Sequence, residues 1–199
     1  MKNVTDFNIV KKCVNNYPFL ENVNDDLVVK HFKKLIGSRK ISNRLKIKLN
    51  GSAQLVNVNK SNRKIFYKPN INKNYKINFD ILDMEVMHTP KGEVIISKQK
   101  EKYLIIHDHL ILRYMERTNV HTYSKAVKNL LEGIIGFNRL TIDLENNEIR
   151  HLVSEGMLLG KKFLYKKHYV FYFKTFITNA MIKEDQKIEY LEGLIKKLN

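Results

Sequence analysis

Residues 103–117, YLIIHDHLILRYMER, pass from an apolar run to a helical pattern within fifteen positions. At a helical pitch, one face of the second part carries the titratable side chains of His109, Arg113, Glu116 and Arg117. The side chains on the opposite face are apolar, so that face can pack against a core. The segment therefore predicts a strand over 102–106 and a helix over about 108–117 that presents imidazole, guanidinium and carboxylate groups together.

The rest of the chain mixes helical and strand-like patterns, which predicts an α+β fold. Further helices are predicted over 5–16, 25–36, 123–134 and 183–198. Further strands are predicted over 44–49, 53–58, 63–68, 79–88, 93–97, 139–143, 148–153, 161–166 and 168–178, with a loop over 69–78. A change in composition near residues 95–100 divides the chain into a basic N-terminal module, 1–99, and a core module with a C-terminal helix, 100–199.

Composition narrows the class of protein. The chain has 199 residues, of which 43% are hydrophobic, so it can bury a core without disulfides. The single cysteine, Cys13, fits a reducing compartment. No apolar run approaches the roughly 18 residues that would span a membrane, and the N-terminus has no signal-like segment. We therefore expect a cytoplasmic protein that has no membrane partner.

Positive charge is concentrated in the N-terminal half. The net charge is +16, and 14 basic residues but no acidic one lie between Asp26 and Asp80. Such a stretch repels itself unless an anion lies against it, and nucleic acid is the usual anion. The alternative is a basic surface without a ligand. The candidate nucleic-acid-binding residues are Lys33, Lys34, Arg39, Lys40, Arg44, Lys46, Lys48, Arg63, Lys64, Lys68, Lys161 and Lys162.

The helix over 108–117 carries groups that suit metal-independent RNA cleavage. In that reaction the 2′-hydroxyl attacks the adjacent phosphorus, and a base, an acid and cations are sufficient catalysts. His109, Arg113 and Arg117 follow one another at about one helical turn, so each lies about 6 Å from the next on one face of the helix. The guanidiniums could therefore hold one phosphate while the imidazole moves a proton. Glu116 could orient them or act as a base. The alternative is a solvated helix face with internal ion pairs.

The same residues resemble a known family pattern. His109-Leu110-Ile111-Leu112-Arg113-Tyr114-Met115-Glu116-Arg117 is similar to the His-x-x-x-Arg-x-x-x-Arg helix of small RelE-like toxins in the barnase–EndoU–colicin–RelE ribonuclease superfamily. Thr118-Asn119-Val120 stands where those families often have Gly-Ile. The resemblance covers about residues 100–182 and includes the preceding strand, the following helix and the aromatic-rich hairpin.

This resemblance implies a twisted antiparallel sheet packed against helices, to which the first 99 residues add a basic helical and β-hairpin elaboration. It implies a metal-independent endoribonuclease of toxin, phage or mobile-element type, with His109 as general acid or base and Arg113 and Arg117 on the phosphate. Late strands of such folds often add a polar or aromatic group, and the candidates here are Lys161, Lys162, Tyr165, His168, Tyr169, Tyr172, Thr175 and Thr178. Tyr172 and Thr175 complete the predicted catalytic set. The expected partners are RNA or DNA, with the ribosome, an antitoxin or a host protein as further candidates.

Other functions stay open. His107 and His109 have the spacing of zinc ligands on a strand, and Asp80, Asp83 and Glu85 could hold Mg²⁺ in a DNA nuclease. A non-catalytic nucleic-acid-binding regulator, or a phage inhibitor of a host nucleoprotein, would need only the basic surface. The chain has no glycine-rich phosphate loop, and the leading hypothesis requires neither a metal nor another cofactor.

Overall fold

A computed structural model describes residues 2–17, 25–37, 40, 42–58, 62–99, 102–135 and 141–198 of the chain. Six α-helices lie within these ranges. Their bounds are α1 Lys2–Asn16, α2 Asp25–Ile36, α3 Asn43–Leu49, α4 Asp108–Thr118, α5 Tyr123–Ile134 and α6 Glu184–Leu198.

The described strands form one sheet. Their bounds are β1 Gln54–Asn57, β2 Arg63–Ile71, β3 Ile77–Thr89, β4 Gly92–Gln99, β5 Lys102–His107, β6 Thr141–Asp143, β7 Glu148–Val153, β8 Gly156–Tyr165 and β9 His168–Thr178. The nine strands lie in the order β1-β2-β3-β4-β5-β9-β8-β7-β6. Every neighbouring pair is antiparallel except β5 and β9, which run parallel, so the sheet is mixed rather than wholly antiparallel. The predicted α+β class is confirmed.

Helices cover both faces of this sheet. Helices α4 and α5 pack on one face, in a cluster that includes Leu104, Ile111 and Phe173. Helix α1 packs on the opposite face through Val10 and its neighbours, because alternate residues of each strand point to opposite sides. Helices α2 and α3 pack on β2 in a separate cluster, and α6 packs beside β6 through Tyr190. Residues of α1 and α4 meet at the end of β5, beside the middle of β9, where the candidate site lies.

The predicted strand over 44–49 is wrong, because these residues form most of helix α3. The Oγ of Ser42 accepts a hydrogen bond from the backbone N–H of Leu45 at 3.3 Å and caps the helix. Leu45 and Leu49, four residues apart, pack against the core, while Ile47 is exposed. The alternating pattern would have placed all three on one side, but only a helical period explains the observed burial.

The remaining elements agree with their predicted positions to within a few residues, apart from β8, which begins at Gly156. The predicted loop over 69–78 is shorter, since β2 continues to Ile71 and β3 begins at Ile77. Strands β4 and β5, which flank the predicted module boundary at 99/100, pair with each other in the sheet. The division into two modules therefore stays a prediction. In the described ranges, none of the helices has the length and apolar character needed to cross a membrane.

Candidate active site

A cleft of about 460 Å³ opens where strand β5 ends and helix α4 begins. Strand β5 delivers His107 as its last residue, and α4 starts at Asp108. The parallel neighbour β9 brings Tyr172 to the same place, since Ile105 of β5 lies in register with it. The cleft is lined by Asp6, Lys91, His107, Asp108, His109, Leu112, Tyr172 and Lys174.

The carboxylate of Asp108 is held by three nitrogen atoms. Its Oδ1 lies 2.6 Å from Nδ1 of His107 and accepts a 2.6 Å hydrogen bond from the backbone N–H of His109. Its Oδ2 accepts a 3.2 Å hydrogen bond from the backbone N–H of Glu93. These contacts join the start of α4 to the β3–β4 turn, and they fix the carboxylate beside the His107 ring.

This arrangement selects one tautomer of His107. The His107 Nδ1 also lies 3.1 Å from the backbone N–H of His109, but one nitrogen cannot donate to Asp108 and accept from His109 at once. The shorter contact, with Asp108, favours a proton on Nδ1, which leaves Nε2 as the basic nitrogen. Among the described residues no hydrogen bond of Nε2 is observed, and the His107 side chain lines the cleft.

The His107 side chain is buried, and this affects its charge. Burial lowers the pKa of His107 below its ordinary value of 6.5, while the carboxylate of Asp108 opposes that effect. Lys174 and His109 lower the pKa of His107 further. The ring is therefore neutral at pH 7, as a general base must be, and Asp108 is placed to stabilise the imidazolium that would form when the base takes a proton.

Gly92 makes room for the Asp108 carboxylate. It has φ +116°, and a Cβ built on it would lie 2.3 Å from Oδ2 and 2.8 Å from Cγ of Asp108. Any side chain at this position would occupy the space of the carboxylate. The Pro90-Lys91-Gly92 turn thus has two roles, since it also places Lys91 on the wall of the cleft.

Two side chains of β9 complete the cleft. Tyr172 is buried, burial raises the pKa of its hydroxyl well above the ordinary value, and its Oη has no hydrogen-bond partner among the described residues. Its hydroxyl therefore stays protonated and can donate to a ligand. The Nζ of Lys174 lies 2.9 Å and 3.1 Å from the two carboxylate oxygens of Asp6, on helix α1.

A β-bulge explains why the aromatic residues of β9 change faces. The register with β8 shifts between Leu159 and Gly160, so Phe173 and Phe176 both point toward α4. Tyr172 instead packs in the α1 cluster. Tyr172 and Lys174, the residues of β9 that line the cleft, therefore lie on the same side as Asp6 of α1.

The structure brings together only part of the predicted catalytic set. His109 and Tyr172 line the cleft, whereas Arg113, Glu116, Arg117 and Thr175 do not. Arg113 forms a 2.7 Å ion pair with Glu116, and Nη1 of Arg117 donates to the backbone carbonyl of Phe176 on β9. Thr175 is partly buried on β9. The assignment of both arginines to a phosphate stays a prediction, and it would place that phosphate outside the cleft.

The predicted nucleic-acid-binding residues differ in exposure. The exposed members among the described residues are Lys33, Lys34, Lys40, Arg44 and Lys48. Arg39 lies outside the described residues. The partly buried members are Lys46, Lys64, Lys68, Lys161 and Lys162, of which Lys46 lies 5.4 Å from the ring of Tyr75 and Lys162 lies 5.4 Å from the ring of Tyr169.

Arg63 has a structural contact that distinguishes it from the exposed cations. It donates to both carboxylate oxygens of the buried Asp83, with distances from 2.6 to 3.1 Å. The hydrogen bonds to Asp83 raise the pKa of Arg63 above its ordinary value. Its guanidinium is therefore engaged within the fold, and the exposed side chains on α2 and α3 are better placed to meet an external anion.

The alternative metal sites find little geometric support. Asp83 pairs with Arg63, and Asp80, which accepts a 2.7 Å hydrogen bond from Asn70, points to the other face of the sheet from Asp83 and Glu85. His107 ends a strand and His109 lies on a helix, so they do not have the strand spacing that suggested zinc. In the ranges that the structure describes, no group of three or more His, Cys, Asp or Glu residues is arranged to hold a metal ion.

Sequence reasoning missed His107, Asp108, Lys91, Lys174 and Asp6 as one group. His107 and Asp108 lie at the junction of strand β5 and helix α4, between the strand predicted over 102–106 and the helix predicted over about 108–117. A strand that ends on a histidine and is followed at once by an acidic helix start was the available signal. Nothing in the local sequence links Asp6 with Lys174, 168 positions later.

Comparison of this chain with protein-family models, with curated proteins and with solved structures finds no match. The resemblance to RelE-like ribonucleases therefore stays a prediction, and the geometry of the cleft has to carry the functional argument.

Proposed function

We propose that this protein is a metal-independent endoribonuclease whose reacting phosphate binds in the cleft between β5, β9 and the start of α4. The observation that carries the proposal is the contact of His107 Nδ1 with Asp108 on the wall of a cleft that His109 also lines. Two imidazoles and nearby lysines are sufficient for 2′-hydroxyl attack on phosphorus.

The proposed division of labour follows from burial. The neutral His107 takes the proton of the 2′-hydroxyl on Nε2 as that oxygen attacks phosphorus, and Asp108 stabilises the resulting imidazolium. The exposed His109, in its protonated form, donates the proton that the departing 5′-oxygen needs. The products are a 2′,3′-cyclic phosphate and a free 5′-hydroxyl, so protons and charge balance.

The remaining groups of the cleft suit the phosphorane. Lys91 and Lys174 supply positive charge, and the hydroxyl of Tyr172 supplies a hydrogen-bond donor. The exposed basic side chains of α2 and α3 lie elsewhere on the molecule and would hold flanking RNA by counterion release. A toxin, phage or mobile-element setting is implied only by the resemblance.

The test is incubation with RNA and with all-deoxy DNA of the same sequence, in EDTA. Cleavage of RNA alone, with 2′,3′-cyclic phosphate ends, is expected. His109→Ala and His107→Asn should each slow cleavage roughly 10²–10⁴-fold, the usual contribution of a general acid or base. Asparagine is a favoured residue at helix N-caps, so the second variant spares the start of α4. His121→Ala is the matched control, since His121 is exposed and lies outside the cleft.

Three outcomes would contradict the proposal. Cleavage that requires Mg²⁺, Mn²⁺ or Zn²⁺ would support a metal-dependent nuclease. Salt-sensitive binding without cleavage would support a non-catalytic nucleic-acid-binding protein. Full activity of a folded His107→Asn variant, with an unchanged circular dichroism spectrum, would show that the base lies elsewhere.

A further inference from the structure

Helix α6 contacts the sheet through the side that carries Tyr190 and Gly193. Tyr190 is buried against Ile142, and a Cβ on Gly193 would lie 2.8 Å from Cδ1 of the same isoleucine, so the helix backbone lies close to β6. Arg150 of β7 holds this side too, through a 3.0 Å hydrogen bond to the carbonyl of Gln186. The inner side of α6 is thus fully used by its own chain.

The outer side of α6 carries three large apolar side chains that remain in solvent. Ile188, Leu191 and Ile195 are 51%, 57% and 60% exposed. At 3.6 residues per turn they form one stripe, which points away from the side that carries Tyr190 and Gly193. A stripe of this kind, unlike scattered single residues, marks a surface that another helix covers.

The residue types in the stripe indicate what covers it. In heptad notation Ile188 and Ile195 occupy a positions and Leu191 a d position, and the pattern continues to Leu198 at the end of the helix. β-branched residues at a with leucine at d favour parallel two-stranded coiled coils. The stripe is therefore suited to an identical stripe on a parallel helix.

The charges beside the stripe agree with the same pairing. Lys187 occupies a g position and Glu192 the e position of the following heptad. In a parallel homodimer these two positions meet across the seam, so lysine would face glutamate twice by symmetry. An antiparallel pair would instead bring Glu192 opposite its own copy. The present contact of Lys187, a 3.2 Å pair with Glu184, is exposed and costs little to exchange.

We propose that α6 is a dimerisation helix, which pairs in parallel with α6 of a second copy of this chain through Ile188, Leu191 and Ile195. Because the stripe points away from the sheet, the two bodies lie on opposite sides of the helix pair. The seam holds only about two heptads, so the dimer should dissociate on dilution.

Sedimentation velocity over a series of protein concentrations tests this proposal. The wild type should rise from the 23.6 kDa monomer toward twice that mass as concentration increases. Lys187→Glu and Glu192→Lys should each shift the transition to at least tenfold higher concentration, and the double variant should restore it. Leu191→Glu should be monomeric throughout. Leu164→Glu is the control, since Leu164 is 63% exposed on β8, far along the chain from α6.

A cysteine cross-link tests the direction of pairing. Ile188→Cys should form an interchain disulfide on mild oxidation, because like a positions meet in a parallel pair, and the native Cys13 is buried. A wild type that stays monomeric at every concentration would overturn the proposal, whatever else binds the stripe. The parallel arrangement would be overturned if Lys187→Glu and Glu192→Lys associated like the wild type. It would also be overturned if the double variant did not regain the association of the wild type. Circular dichroism spectra confirm that each variant is folded.

Discussion

Replacing Gly92 with alanine should disrupt the Asp108–His107 pair from outside the cleft. The new Cβ would lie 2.3 Å from Oδ2 and 2.8 Å from Cγ of Asp108, distances that real Cβ atoms essentially never show. The carboxylate must therefore move by about 1 Å to reach ordinary contact. A shift of that size would lengthen the 2.6 Å contact with His107 and the 3.2 Å hydrogen bond from Glu93.

The expected cost has two parts. Alanine at φ +116° is strained by about 1–3 kcal/mol, and the weakened hydrogen bond to Glu93 removes about 1 kcal/mol. Together they lower the free energy of unfolding by about 2–4 kcal/mol, which for a chain of this length lowers Tm by roughly 4–16 °C. Cleavage of RNA should slow about 10²-fold, because a shift of about 1 Å in the carboxylate that orients the His107 base costs roughly that much rate.

Two further variants separate backbone strain from the clash. Gly37 also has positive φ, +61°, but a Cβ there meets nothing within 4 Å, so Gly37→Ala should show the strain alone. Asp108→Ala removes the group with which the new Cβ collides. In a double-mutant cycle, Gly92→Ala should therefore cost less in the Asp108→Ala background than in the wild type. Additive effects in calorimetric unfolding, or a Gly92→Ala enzyme with normal Tm and rate, would refute the proposed coupling.

Four more predictions concern charge. Asp108→Asn should move the acidic limb of the kcat/KM profile to lower pH, because the Asp108 carboxylate raises the pKa of the buried His107, as Asp6 does to a smaller extent; an upward shift would contradict this. Asp6→Asn should strengthen binding of inorganic phosphate roughly tenfold in NMR titrations, because it removes a negative charge that pairs with Lys174 and repels the anion. A weaker affinity would show that Asp6 helps to bind the anion. Arg63→Ala should lower the free energy of unfolding by about 3 kcal/mol in urea, because Asp83 stays buried without its partner. By contrast, replacing one of the exposed cations with alanine should leave Tm unchanged and reduce the slope of log K against log salt concentration for RNA binding by about one unit. These cations are Lys33, Lys34, Arg44 and Lys48. An unchanged slope would show that they do not contact the RNA.

The elements that could be predicted are those whose burial follows one local period. Helix α4 is an example, since Leu110, Ile111 and Tyr114 are buried as its apolar face requires. Helix α3 shows the limit, because residues 44–49 satisfy a strand period in sequence, and only the cap at Ser42 and the packing of Leu49 decide for a helix. A seven-residue segment holds too little periodic information to outweigh contacts that come from elsewhere in the chain.

The site was predicted less well than the fold, for a related reason. His109 and Tyr172 were identified as candidates, but the cleft also depends on Asp6 from α1 and Lys91 from the β3–β4 turn. The approach of Tyr172 to His107 follows from the parallel pairing of β5 with β9, and the two strands are far apart in the sequence. The periodicity of a single segment does not show which strands become neighbours in the sheet.

The two ends of α4 therefore contribute differently to the proposed function. At its C-terminal end, Arg117 donates to the carbonyl of Phe176 and Arg113 pairs with Glu116, so both guanidiniums already have partners within the chain. At its N-terminal end, Asp108 and His109 face the cleft together with His107. An anion at this end also gains from the helix dipole, whereas one at the arginine end meets the opposite field. The electrostatics of the helix and the orientation of His107 thus favour the same end of α4 for a phosphate.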